Sequence, residues 1–251
     1  MKLLIDASSI NKKNILASVP GYIFRLIDMF ATENGLELLV DYSMLQFFKK
    51  KYPHLIIYTI KRNYVLYRLP FFGEIYGRFV YKNAISKISH SVEIIPSDLD
   101  RSTNVHSSAK RIVIIYDLKA IKDGPFFERR RNFRFYDFLI TNAAKVIAIS
   151  EYTRRDLETL FNVPKSKIHV IYCSVNTPKQ TFWNQQSPLP QKYLLYVNTL
   201  LPQKNILTLV KAFENIKQNI SHHLVIVGKE TSYWKREILP YINSHGLGDR
   251  I

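Results

Sequence analysis

Short runs of Val and Ile without polar alternation constrain this chain more than any other feature. Residues 111–116 (Arg-Ile-Val-Ile-Ile-Tyr) and 146–149 (Val-Ile-Ala-Ile) are of this kind. Strands with that pattern are buried on both faces of a parallel sheet. Parallel strands need long crossovers, usually helices, and the chain supplies them. Residues 126–144 read as a helix carrying Phe127, Phe135, Phe138 and Leu139. In a helix expected over 22–32, Ile23, Leu26, Ile27 and Phe30 share one face at i, i+3, i+4 and i+7. Further strands are expected at 2–5, 37–40, 55–60, 93–95 and 168–171. Ser150 stands where a helix N-cap belongs, with Glu151 in the favoured first turn. That helix should run to about Phe161. The alternation predicts α/β architecture built from Rossmann-like units.

The segment 173–191 differs, with Pro178, Pro188 and Pro190 among Asn, Gln, Ser and Thr. It reads as a linker. The rhythm then restarts with strand 193–197, helix 205–219, strand 223–227 and helix 233–244. The expected organisation is an N-terminal domain over 1–172, the linker 173–191, and a second Rossmann-like domain over 192–251 that is incomplete, with two strands.

Hydrophobic residues make up 47% of the 251 residues, enough for a sizeable core. No apolar run reaches the ~18 residues of a membrane span. Asp6 interrupts the only apolar start, residues 1–5, which argues against a signal segment. A single Cys and the lack of Cys/His metal spacing fit a reducing cytosol. Lys and Arg number 36 against 20 Asp and Glu, a net charge of +16. Such an excess suits nucleic acid, an anionic membrane face or a phosphate-rich substrate. The basic residues fall in blocks: Lys49-Lys50-Lys51, Lys61-Arg62 and Arg129-Arg130-Arg131. Between the last two, Tyr64, Tyr67, Phe71, Phe72, Tyr76, Phe79 and Tyr81 are interleaved with Arg68 and Arg78. This pattern fits an interfacial belt on an anionic membrane, and equally a helix packed on the sheet with a charged outer face. Nucleic acid is the least favoured partner, because zinc-finger spacing and an RNP-like run are both absent.

In open parallel sheets, ligands bind beyond the carboxyl ends of the strands. That rule selects Asp6–Ser9, Tyr116-Asp117, Ser150-Glu151, Thr199–Lys204 and Gly228-Lys229. Asp117 is expected to hydrogen-bond turn amides. A lysine at a helix N-terminus opposes the helix dipole, so Lys204 is an unusual placement for a merely solvated residue.

Several ordered motifs resemble the retaining glycosyltransferases of family 4. They are Arg111-Ile-Val-Ile-Ile-Tyr-Asp-Leu118, Lys145-Val-Ile-Ala-Ile-Ser-Glu-Tyr-Thr-Arg-Arg-Asp-Leu157 and Lys167-Ile-His-Val-Ile-Tyr172. Tyr193-Leu-Leu-Tyr-Val-Asn-Thr-Leu-Leu-Pro-Gln-Lys-Asn205 and Leu224-Val-Ile-Val-Gly228 complete the order. The resemblance implies a GT-B fold, with a nucleotide-diphosphate sugar donor on the C-terminal domain and the acceptor mainly on the N-terminal one. It implies that Lys204 meets the donor diphosphate, helped by backbone amides near Gly228. Gln203 and Thr199 stand where the family carries arginine. Tyr116-Asp117 occupies the place of the family's His-Asp pair at the reaction centre, and a tyrosine of pKa about 10 is a poor proton carrier near neutrality. Gly21 is the one remnant of a glycine-rich turn on the acceptor side, where Ser150 and Glu151 are the other candidates. The family's paired-glutamate motif, E-x7-E, lies beyond residue 251, so the resemblance is to a C-terminally truncated member.

Such enzymes need no resident metal or cofactor, the nucleotide sugar being a co-substrate. The implied acceptor is a growing surface polysaccharide or a lipid-linked glycan, reached from the cytoplasm at the inner face of the membrane. The alternative is a membrane-associated acceptor-side fragment without activity of its own.

Overall fold

The computed structural model describes residues 2–15, 17–67, 69, 72–97, 100–174 and 188–251. Arg68, Phe71 and most of the expected linker lie outside the described residues. The chain divides into two compact units, Met1–Val175 and Asn176–Ile251.

The first unit alternates strands and helices. In chain order they are β1 (Leu3–Ala7), α1 (Ser18–Phe30), β2 (Leu36–Asp41), α2 (Leu45–Lys51), β3 (Ile56–Ile60), α3 (Tyr64–Tyr67) and α4 (Phe72–Ile85). There follow β4 (Val92–Ser97), β5 (Lys110–Ile115), α5 (Lys119–Lys122), α6 (Phe126–Thr141), β6 (Lys145–Ala148), α7 (Glu151–Phe161) and β7 (Ile168–Val170). The seven strands form one sheet in the order β3-β2-β1-β4-β5-β6-β7, and every pairing is parallel. Period-2 geometry sends neighbouring side chains to opposite faces. Ile5, Leu38 and Val40 therefore pack with Ile23, Ile27 and Phe48 of α1 and α2. Leu4 and Leu39 pack instead with Tyr81 and Ile85 of α4. Val113, Ile115, Val146 and Ala148 meet Phe135 and Leu139 of α6 and Leu157 of α7.

Helix α1 starts four residues earlier than the apolar periodicity indicates. Val19, Pro20 and Gly21 form its first turn, where a proline sacrifices no hydrogen bond. Ser150 caps α7 as its position suggests, its Oγ accepting from Thr153 N at 3.1 Å. Asn162 ends that helix in the left-handed region at φ 52°.

The second unit carries β8 (Tyr193–Val197), α8 (Ile206–Ile216), β9 (His223–Val227) and α9 (Leu239–Ser244). Strands β8 and β9 are parallel and in register from Tyr193↔His223 to Val197↔Val227. Leu224, Val210, Phe213, Ile238 and Ile242 form the core on one face. On the other, Leu195 and Val197 stay 52% and 64% exposed. The helix expected over 233–244 is interrupted by a π-turn, Trp234–Ile238, just before α9. Pro240 explains this, since its ring lacks an N–H and crowds the carbonyl four residues back, and a widened turn relieves both.

Candidate functional site

The strand order of the first unit reverses between β1 and β4, the place where ligands meet open α/β sheets. A buried polar chain lies below it, running from Asp6 of β1 toward the amino ends of β4 and β5. Glu93 and Arg111 are register partners on β4 and β5. Arg111 Nε and Nη2 both donate to Glu93 Oε2, at 3.1 and 3.0 Å. Arg111 Nη1 reaches the Val105 carbonyl at 2.8 Å. The Tyr81 hydroxyl lies 3.0 Å from Glu93 Oε1 and 2.9 Å from Asp6 Oδ2. Burial pushes the Asp6 carboxyl up to about 6, against the opposing hydrogen bonds from Ser8.

Arg62 holds a second cluster at the carboxyl rim itself, beyond the ends of β1, β3 and β4. Its Nη1 donates to the Ser8 carbonyl at 2.7 Å, and its Nη2 to Asp100 Oδ2 at 2.8 Å. Asp100 Oδ1 accepts from the Tyr67 hydroxyl at 2.7 Å and the Ser102 hydroxyl at 2.6 Å. Burial works to raise Asp100, but the Arg62 guanidinium and the Ser102 and Tyr67 hydroxyls outweigh it, so its carboxyl sits below the usual range.

None of Arg62, Tyr81, Glu93, Asp100 or Arg111 is among the site candidates that the sequence offers. Glu93 and Arg111 do carry a signal in the sequence, because each stands in a strand that is otherwise apolar. A charge in a doubly buried strand requires a partner beside it.

The motif-derived candidates of this unit lie on the same rim, and most are engaged in local structure. Thr153 ties two of them together, its Oγ1 donating to the Tyr116 carbonyl at 3.2 Å while its N donates to Ser150 Oγ. The Tyr116 ring meets Tyr22 of α1 edge-on, centroids 5.3 Å apart. Asp117 accepts from Lys119 N at 3.0 Å, closing the turn. Glu151 takes the Arg154 guanidinium at 2.6 Å. Gly21 lies within α1, and a Cβ there would meet only Arg25 Nη1 at 3.7 Å. Its N–H donates to the Ala17 carbonyl at 3.1 Å, in the first turn of the helix. Beside it a shallow recess opens between Tyr22, Arg25, Met29, Tyr172 and Ser174.

In the second unit Thr199, Lys204 and Gly228 share the carboxyl rim of β8 and β9. Asn198 N donates to the Val227 carbonyl at 3.1 Å, drawing the two strand ends together. Gly228 is glycine because of this approach, as a Cβ would stand 2.2 Å from the Asn198 carbonyl oxygen. Thr199 N bonds Asn198 Oδ1 at 2.9 Å. Lys204 closes the 3-10 turn Pro202–Lys204, and Asn205 follows at φ 52° as the cap of α8. The Lys204 side chain is exposed and forms no ion pair among the described residues. Among those residues no group of three or more His, Cys, Asp or Glu is arranged to hold a metal ion.

Comparison with known proteins defines the class of this architecture. The whole chain superposes on HepE of Anabaena, solved in complex with UDP, with TM-score 0.65 and 15% identity, spanning 68% of that chain. A glycosyltransferase from Rickettsia africae matches with TM-score 0.63 and 15% identity, over all of this chain and 66% of that one. The lipopolysaccharide outer core galactosyltransferase WaaB matches with TM-score 0.62 and 14% identity, over the same shares. The fold is therefore GT-B-like, and the chain spans about two thirds of the length of these structures. Two consecutive stretches match family models. Residues 103–179 fit the model for Glycosyltransferase Family 4, and residues 179–250 that for Glycosyl transferases group 1. Over these stretches the chain is similar to glycosyltransferases. No curated protein matches it by sequence.

Proposed function

We propose that this chain transfers a sugar from a nucleotide-diphosphate donor to a growing surface glycan or a lipid-linked acceptor. The observation that carries the reading is Lys204, an exposed ammonium without an ion pair among the described residues, on the same strand-end rim as Thr199 and Gly228. At about 4 Å and an effective dielectric of about 20, such a charge attracts a phosphate by about 4 kcal/mol before desolvation. UDP in HepE, and UDP with glucose in a second HepE complex, support a nucleotide-sugar donor. WaaB, a lipopolysaccharide galactosyltransferase by name, supports a surface-glycan acceptor. In this reading Lys204 neutralises the leaving diphosphate, Thr199 and the amides near Gly228 assist, and Tyr116 lines the reaction centre beside Asp117. No resident cofactor is involved.

Among the described residues no helix is long and apolar enough to cross a membrane. The proposed setting is the inner face of the cell membrane, reached peripherally from the cytoplasm. Incubation with nucleotide sugars and a lipid-linked glycan extract, followed by mass spectrometry of the lipids, tests the reading. A hexose mass increment supports it, and unchanged acceptors with every donor contradict it.

A second reading is an acceptor-side binding module without turnover. Tyr116 and Gln203, standing where the family carries histidine and arginine, favour it. Donor binding without any product would single it out.

A further inference from the structure

The first unit leaves a line of large apolar side chains uncovered. Helix α4 buries Gly73, Gly77, Tyr81 and Ile85, one residue in every four, so that face points inward. Its opposite face carries Phe72, Ile75 and Phe79, which are 73%, 67% and 70% exposed. At i, i+3 and i+7 these three form one stripe along the helix. Val65, Leu66 and Leu69, just before α4, are exposed too. Tyr67, which lies among them, packs on the inward face of α4, where a Cβ on Gly73 would stand 2.1 Å from its carbonyl oxygen.

Helix α6 presents a mixed face of the same kind. Phe127 is 84% exposed, and Phe126 beside it is exposed as well. Around Phe127 the exposed Arg130, Arg131 and Arg134 line a shallow groove, and none of the three forms an ion pair among the described residues. The 3-10 turn Arg101–Thr103 bridges the two helices. Arg101 donates to Asn132 of α6, and it lies close enough to Arg131 and Glu128 of α6 and Glu74 of α4 to feel their charges. Helices α3 and α4 follow the carboxyl end of β3, and α5 and α6 follow that of β5. Phe72, Phe126 and Phe127 therefore stand on the rim where ligands bind.

Exposed apolar patches of this size mark interaction surfaces. An apolar stripe flanked by unpaired arginines is complementary to an anionic bilayer, where rings enter the headgroup boundary and cations meet lipid phosphates. We propose that the α3–α4 stripe and the N-terminal half of α6 dock on an anionic lipid surface, holding the strand-end rim against the membrane. This rests on the reading of a membrane-held acceptor and specifies how that acceptor is reached.

Vesicle flotation of the full chain tests the proposal, with phosphatidylcholine alone and phosphatidylcholine mixed with phosphatidylglycerol. Binding is expected only to the mixed vesicles. Arg130→Gln/Arg131→Gln/Arg134→Gln should weaken it about 100-fold, at about one kilocalorie per mole for each basic residue. Phe72→Ser/Ile75→Ser/Phe79→Ser, which alters exposed positions alone, should weaken it at least about tenfold. Lys49→Gln/Lys50→Gln, on α2, should change it by about twofold at most. No binding to the mixed vesicles, undiminished binding by either triple variant, or an equal loss in the lysine variant would overturn the proposal. UDP titration of the same preparations separates the two readings. Lost flotation with UDP binding intact removes the docking surface alone, and the reverse removes the donor site alone.

Discussion

The Tyr81 hydroxyl stands 2.9 Å from Asp6 Oδ2 while also lying 3.0 Å from Glu93 Oε1. One phenolic proton cannot serve two carboxylates. Arg111 provides the countercharge for Glu93, so below about pH 6 protonation of Asp6 completes the arrangement. Asp6 then donates to the phenolic oxygen while Tyr81 donates to Glu93. Burial, which pushes the Asp6 carboxyl from 3.8 to about 6, is consistent with this.

Stability should depend on pH accordingly. A carboxyl that holds its proton more tightly in the folded chain stabilises the fold below its unfolded value, and loses that contribution as pH rises to its folded value. Between about pH 4 and pH 6 the loss attributable to Asp6 is about 3 kcal/mol. Asp6→Asn keeps an uncharged group in place. Thermal melts should show it more stable than the native chain at pH 7.5 and without this decline. A native-like decline in Asp6→Asn would assign the dependence to another group.

Glu93 and Arg111 should behave as a unit. Arg111→Leu leaves a carboxylate buried without its countercharge and should cost about 3–5 kcal/mol in denaturant titration. Glu93→Leu/Arg111→Leu should recover most of that loss, because both charges go together. A double variant as weak as the single one would show that packing, not charge, is at stake.

The glycines separate packing from ligand binding. Gly73→Ala drives a methyl into the Tyr67 carbonyl and should destabilise by about 1–3 kcal/mol. Gly21→Ala meets only Arg25 at 3.7 Å inside a helix, and should stabilise by up to about 1 kcal/mol. Calorimetric melts of the two variants should move in opposite directions. A neutral Gly73→Ala would mean that α3 does not press on α4.

Ser150→Ala removes the α7 cap and should cost about 1 kcal/mol. Asn162→Gly relieves a left-handed residue at φ 52° and should be neutral or mildly stabilising. Urea midpoints at matched slopes check both.

The central strands of the sheet are legible in the sequence because they are buried on both faces. Runs such as 111–116 and 146–149 cannot hide their composition. Helices α2 and α3 escape a periodicity search because they are only 7 and 4 residues long. The Tyr64–Tyr81 stretch shows its aromatics but not which of them point outward. That depends on Gly73 and Gly77 turning inward, a matter of packing rather than pattern. In the second unit Thr199 follows β8, Lys204 lies in the turn before α8 and Gly228 follows β9. The Arg62–Asp100 and Asp6–Tyr81 clusters are not legible, since their members come from separate elements 38 and 75 positions apart.

In the proposed reading the second unit receives a nucleotide diphosphate at Lys204. Isothermal titration of the full chain with UDP, beside Lys204→Ala, tests it most directly. Saturable binding by the native chain is expected, weakened about 10-fold or more in the variant. Absence of binding at millimolar UDP, or equal affinity in Lys204→Ala, would contradict it.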